Sequence, residues 1–325
     1  MLLHERYPDL RERLPHLALG GGPTPVRRLE ALSSEGGAEV WVKDDGAFGT
    51  GPWGGNKVRK LEWLLPEARR RGRPILTFGG LGTNWGLATA LYGREHGVRT
   101  ALALVDQPVD AHVSAQLERL RASGAAIHFT HTKRRTVLAL PWLLARHRPY
   151  VLPAGGSSPL GVLGYVDASL EIAAQVAAGE LPEPSHVVVA IGTSGSAAGL
   201  ALGLRLAGLG TRVVGVPVTP DLRADPESVA RLAGRAAKLL RSRGAALEAE
   251  PPPPGAITIL GGWIGAGYGH PTPEGEAAAA AAAPDGLALD PVYTAKAVAA
   301  LRAESAAGRL GGGPVLYVHT DGPRY

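Results

Sequence analysis

Val187-Val188-Val189-Ala190-Ile191 runs directly into Gly192-Thr193-Ser194-Gly195-Ser196-Ala197-Ala198-Gly199. An apolar run of strand length, a loop of small residues and a helix candidate at 197–206 follow one another without a break. The same order occurs twice more. Residues 75–78 lead into Gly79-Gly80-Leu81-Gly82-Thr83-Asn84-Trp85, and residues 150–152 into Pro153-Ala154-Gly155-Gly156-Ser157-Ser158-Pro159. Working outward, further strand candidates at 40–43, 100–105, 126–129, 212–218 and 315–319 alternate with helix candidates at 58–71, 86–96, 111–123, 137–146 and 162–177. This rhythm predicts an α/β fold of parallel-rich sheets covered by helices on both faces. In such sheets ligands bind in the loops at the carboxyl ends of the strands, where these small-residue loops fall. Residues 251–254 read as an extended linker and 277–283 as a helix former without chemistry of its own.

The 325 residues suffice for two lobes with real cores. A hydrophobic fraction of 45% and mean hydropathy of +0.03 describe a soluble globular protein. No apolar run approaches the roughly 20 residues of a membrane helix, and Met1-Leu2-Leu3-His4-Glu5-Arg6 has no export-signal pattern, so the expected location is the cytoplasm. Cysteine is absent, which excludes disulfides, thiolate catalysis and Cys-ligated metals. The histidines show no metal-type spacing, so no metal is expected, and His270 and His319 read as structural or as supporting a site from behind. Net charge is +5, and its tight basic clusters, Arg69-Arg70-Arg71 and Lys133-Arg134-Arg135, read as solvated helix ends rather than a nucleic-acid surface.

Lysine is scarce: Lys43, Lys57, Lys60, Lys133, Lys238 and Lys296. Lys57 stands apart in Gly54-Gly55-Asn56-Lys57-Val58-Arg59-Lys60-Leu61-Glu62, where two glycines and a capping Asn hand it to the first turn of a helix. The ordinary fate of a lysine is the solvated face of an amphipathic helix. A helix start instead eases loss of the ammonium proton, and a free amine attacks a carbonyl and holds an aldehyde cofactor as a Schiff base.

The loop Gly192, Thr193, Ser194, Gly195, Ser196 offers backbone N–H groups, hydroxyls and a helix start, which suit a phosphate as well as mere tight packing. Its glycine spacing misses the dinucleotide fingerprint, so a small phosphate ester fits better. Thr83 and Asn84 are ordinary cap residues by type, or a donor pair facing a ligand. Tyr268 and Tyr293 are flanked by turn residues, which suits a cleft.

In this combination the chain resembles the pyridoxal-phosphate enzymes of the D-cysteine desulfhydrase and 1-aminocyclopropane-1-carboxylate deaminase family. The resemblance runs from Pro23-Thr24-Pro25 to His319-Thr320, through Lys43-Asp44-Asp45, the Lys57 segment, the loop ending at Asn84, 153–166, 192–200, 265–271 and 290–296. It implies a two-lobed tryptophan-synthase-β-like (type II) fold, with a smaller lobe at 48–159 carrying Lys57 and a larger lobe, 1–47 and 160–325, carrying the phosphate loop. By resemblance, pyridoxal 5'-phosphate is the cofactor, with Lys57 as its Schiff-base lysine, Asn84 on its ring oxygen and residues Gly192 to Ser196 on its phosphate. Thr83 would contact the substrate carboxylate or leaving group, Tyr268 and Tyr293 would line the substrate side, and Thr294 would face the pyridine nitrogen. Cyclopropane-opening deaminases carry Glu there. A neutral hydroxyl makes a weaker electron sink and favours β-elimination from D-cysteine or a related β-thiol amino acid to pyruvate and ammonia. Aminocyclopropane deamination, β-replacement and racemisation on the same cofactor stay open, as does a non-enzymatic binding module. The resemblance also implies a homodimer acting on a small amino acid. The chain departs from the family where Gln-Ser-Asn-His becomes Gly82-Thr83-Asn84-Trp85, and where His-Thr-Gly-Gly becomes His319-Thr320-Asp321-Gly322. Gly82 removes an amide that grips substrate, and Asp321 brings a charge near the cofactor.

Overall fold

Ten strands form two sheets in a computed structural model that describes residues 1–35, 37–51, 53–220 and 224–322. The strands are β1 Val26–Arg28, β2 Val40–Asp44, β3 Ile75–Gly80, β4 Thr100–Val105, β5 Ala126–His131, β6 Tyr150–Val151, β7 His186–Ile191, β8 Arg212–Pro217, β9 Ile257–Ile259 and β10 Val315–His319. Strand candidates 100–105 and 315–319 match to the residue. The three-residue strands β1 and β9 escape sequence reading because three residues cannot display a period. The helices are α1 Leu2–Arg6, α2 Leu10–Arg13, α3 Glu30–Ser34, α4 Asn56–Arg70, α5 Asn84–Glu95, α6 Ala111–Ala122, α7 Lys133–His147, α8 Leu163–Ala177, α9 Gly195–Leu206, α10 Pro226–Ser242, α11 Pro273–Ala282 and α12 Thr294–Ala306. None of the described helices is long and apolar enough to cross a membrane.

The larger sheet has the order β1-β2-β10-β7-β8-β9 and the smaller β5-β4-β3-β6. Every pairing is parallel except β1 with β2, as the alternation of strands and helices requires. Both faces of the larger sheet are covered. Val187, Val189 and Ile191 of β7 pack into one core with helices α8, α9 and α10, while Val188 and Ala190 enter another with α11 and α12. The smaller sheet buries Ile75, Leu102 and Leu104 against α4 and α5 on one face. Its other face is thinner, with Leu76, Ala101 and Ala103 against Leu143 of α7, and α7 leaves Val137, Leu138 and Trp142 exposed. The loops leaving the carboxyl ends of both sheets converge, and the space between them is the candidate site.

Candidate active site

A cavity of about 520 Å³ lies where those loops meet. Its wall takes residues that follow β3 (Thr83, Asn84), β4 (Gln107), β7 (Gly192 to Ser196) and β10 (Thr320, Asp321), together with Asn56, Lys57 and Lys60 of α4. Lys57, Thr83, Asn84, Gly192, Thr193, Ser194, Gly195, Ser196, Tyr268 and Tyr293, all singled out in the sequence, line this one cavity.

Lys57 is the second residue of α4, at its positive end. The expected cap is corrected by one position: Gly55, not Asn56, is the N-cap, and no side chain caps the helix. Asn56 instead accepts a hydrogen bond from the Lys57 ammonium. Gly55 is required by the backbone, since its φ is +89° and a Cβ there would lie 2.8 Å from the Thr320 carbonyl oxygen. This close approach, with Gly55 bridged to Asp321, ties the start of α4 to the chain leaving β10.

The loop after β7 opens α9, whose N-cap, Ser194, sits in the left-handed region at φ 62°. A non-glycine residue held there is strained, and such strain gathers at binding sites. Thr193 and Ser157 share a hydroxyl hydrogen bond of 2.6 Å beneath the loop. A Cβ at Gly195 would stand 2.3 Å from Ser157 Oγ, so Ser157 requires the glycine, and it would stand 3.2 Å from Lys60 Nζ, which places a second lysine beside the loop. Lys60 is buried and donates to the Gly155 carbonyl at 3.1 Å, with no carboxylate in ion-pair range among the described residues. Burial, and then the nearby Lys57 ammonium, pull its amine down to about 7. Sequence reasoning passed over Lys60 because no glycine turn immediately precedes it.

Thr83 caps α5, its hydroxyl oxygen accepting from Gly86 N at 3.1 Å. Thr83 is thus the cap of α5, and it also lines the cavity. Behind the wall, Asn84 Oδ1 accepts from Gln116 Nε2 at 2.7 Å, and Gln116 Oε1 accepts from Arg119 at 3.4 Å. Arginine only donates, so it sets the Gln116 amide oxygen outward and the amide nitrogen toward Asn84. Asn84 in turn keeps its own N–H donors for other partners. Neither Gln116 nor Arg119 was legible from the sequence, since they lie on the next helix and carry no motif.

Tyr268 and Tyr293 meet hydroxyl to hydroxyl at 2.6 Å, rings edge to face. Lys296 fastens the loop that carries Tyr268 by donating to the Ile264 and Gly267 carbonyls. Thr294 is the exception among the expected site residues: it is fully buried and does not line the cavity. Asp290 draws it into the turn that starts α12. The Thr294 hydroxyl donates to Asp290 Oδ2 at 2.9 Å and accepts from Asp290 N at 2.6 Å. Asp290 also accepts from the backbone N–H groups of Val292, Tyr293 and Thr294, and it is Asp290 that reaches the wall. Asp321 lines the cavity as well.

Next to the cavity is a second polar cluster, wholly buried. Arg59 pairs with Asp45 at 2.6 Å and Glu171 at 3.1 Å, Lys43 pairs with Glu171 at 2.6 Å, and Tyr165 donates to Asp45 at 2.5 Å. Burial opposes the charge on Glu171, yet Arg59 and Lys43 hold its carboxyl below the usual range. Burial, followed by Asp45, pushes the Tyr165 phenol well up. Two cations and two carboxylates close the charge balance, and the cluster locks β2, α4 and α8 together.

Comparison with known proteins identifies the family and the fold. Residues 17–321 match the family model described as "Pyridoxal-phosphate dependent enzyme". The D-cysteine desulfhydrase of Klebsiella pneumoniae (strain 342) is 35% identical over 323 residues, covering 95% of this chain and 94% of that one. That of Salmonella choleraesuis (strain SC-B67) is likewise 35% identical, with the same coverage. Among solved structures, an "ACC deaminase homologue" superposes with a TM-score of 0.81 at 29% identity, covering 99% of this chain and 96% of the other. Threonine deaminase isoform 2 of Solanum lycopersicum shares the fold at a TM-score of 0.65 and 15% identity, covering 97% and 84%.

Proposed function

This chain belongs to the pyridoxal-phosphate dependent enzymes, and on that premise we propose that it is a lyase releasing the β substituent of D-cysteine or a related β-thiol amino acid. Water completes the reaction, and the products are pyruvate, ammonia and the freed thiol. The single observation that carries this reading is the convergence of Lys57, Asn84, the 192–196 loop and the tyrosine pair on one cavity. Aminocyclopropane deamination, β-replacement and racemisation are the competing reactions, and no feature of the wall favours them.

The residues fit the cofactor. A helix start with a strained N-cap, a glycine beside Ser157 and Lys60, and a buried amine with no carboxylate partner among the described residues make a donor set suited to a phosphate dianion. Gly192, Thr193, Ser194, Gly195, Ser196 and Lys60 would hold that phosphate, and Asn84 would donate to the ring oxygen. When bound, the conjugated ring supplies a sink for the electron pair left at the substrate Cα. Lys57 would hold the cofactor covalently at rest, and its freed amine takes the Cα proton as general base. The hydroxyls of Tyr268 and Tyr293 exchange a proton across 2.6 Å, which lets one of them protonate the leaving sulfur while the other recharges it. Thr294 would act through the Asp290 turn, keeping Tyr293 in place and presenting no ionised group of its own.

The reading includes a smaller lobe at 48–159 and a larger one at 1–47 and 160–325, and a homodimer in the cytoplasm. Limited proteolysis and sedimentation test the first two. The decisive experiment is borohydride reduction followed by peptide mass spectrometry. The adduct is expected on Lys57, and its appearance on another lysine, or on none, rejects the assignment. Lys57→Ala should remove the visible absorbance and lower turnover by roughly a thousandfold or more. Measuring pyruvate, ammonia and sulfide from D-cysteine, against 1-aminocyclopropane-1-carboxylate, separates the reactions.

A further inference from the structure

We propose that Gln107 is a specificity-determining residue that donates its side-chain amide to the α-carboxylate of the amino-acid substrate. The proposal rests on the reading of the cavity as an amino-acid site.

Gln107 lies in the loop between β4 and α6 and lines the cavity. Its amide covers the glycine loop after β3. Gly82 N donates to Gln107 Oε1 at 3.2 Å. A Cβ at Gly80 would stand 2.0 Å from Oε1, and one at Gly82 would stand 3.3 Å from Nε2. The two glycines are therefore the room that this amide occupies. A backbone N–H can only donate, so the atom facing Gly82 is the oxygen, and the nitrogen with its two hydrogens is left at the wall. That nitrogen has no protein partner among the described residues, whereas the amide of Gln116 is engaged at both ends. Two further features beside it favour an anion: the Thr83 hydroxyl, whose oxygen accepts from Gly86 and whose proton is its own to give, and the positive end of α5.

The test uses the cofactor-loaded enzyme and two probes, D-alanine, which has no leaving group, and D-alaninol, which has no carboxylate. Each is titrated while the cofactor's visible absorbance is followed. Gln107→Ala should weaken D-alanine roughly tenfold and leave D-alaninol within about twofold. Gln107→Glu, which keeps the shape and adds a like charge, should weaken D-alanine further and D-alaninol not at all. Equal weakening of both probes, or none for D-alanine, overturns the role of Gln107. A wild-type spectrum that responds to neither probe overturns the amino-acid reading itself, and the role of Gln107 falls with it.

Discussion

Arg59 and Lys60 are consecutive residues of α4, both buried, and they face opposite kinds of surroundings. Arg59 enters the cluster of Asp45, Glu171, Lys43 and Tyr165, where burial opposes its charge but the two carboxylates hold its pKa above the ordinary value. Lys60 enters the cavity, bonds to one carbonyl, meets no carboxylate among the described residues, and titrates near 7. The difference separates two uses of a buried cation. One that serves the fold arrives with its counter-charge supplied by the same chain. One that serves a ligand keeps hydrogen bonds in reserve for an anion the chain does not provide.

The most severe way to break this contrast is Arg59→Ala. Removing one partner strands Asp45 and Glu171 in the interior, so unfolding in urea should show a loss of about 3–5 kcal/mol. Cofactor affinity of the folded fraction should change little. Lys60→Met should behave the other way round. Stability of the cofactor-free protein should hold or rise, while pyridoxal phosphate binds about 10- to 100-fold more weakly in a titration of the cofactor-free protein. Equal effects of the two substitutions on both measurements would abolish the distinction.

A pH series sharpens it further. In the cofactor-free protein Lys60 titrates at about 7, against an ordinary lysine value of 10.5. Between those values the unfolded chain binds the proton and the folded chain does not. Lys60 therefore makes stability rise with pH across that window, by up to about 1.4 kcal/mol per pH unit, and adds a constant penalty below it. Subtracting the Lys60→Met profile from the wild type should isolate that slope, and a flat difference contradicts it. The smallest expected effect belongs to Gln116→Ala, which frees the Asn84 amide to turn. Affinity for the cofactor should fall by about two- to tenfold, the worth of one neutral hydrogen bond, with its absorption maximum displaced.

Much of this molecule was legible in its sequence for one reason: local patterns report local structure. Residues 100–105 and 315–319 were read as strands to the residue because long apolar runs bounded by turns announce themselves. The loop from Gly192 to Ser196 stands out by its composition, and Lys57 by two glycines before a helix, and both line the cavity. By resemblance Thr294 is expected to face the pyridine nitrogen, yet it does not line the cavity. Its hydroxyl is held by Asp290, four residues earlier, a side-chain bond that no motif records.

The sequence by itself determined the parallel α/β architecture, the lysine that opens α4 and the small-residue loops that end the strands, because periodicity, capping and glycine content act over a few neighbouring residues. Only the tertiary structure decided what those loops enclose. It placed Lys60 beside Gly195, laid Gln107 over Gly80 and Gly82, and set Gln116 behind Asn84. Each of these joins residues 25 to 135 positions apart in the chain, and such contacts exist only once two sheets have packed and aimed their strand ends at one space.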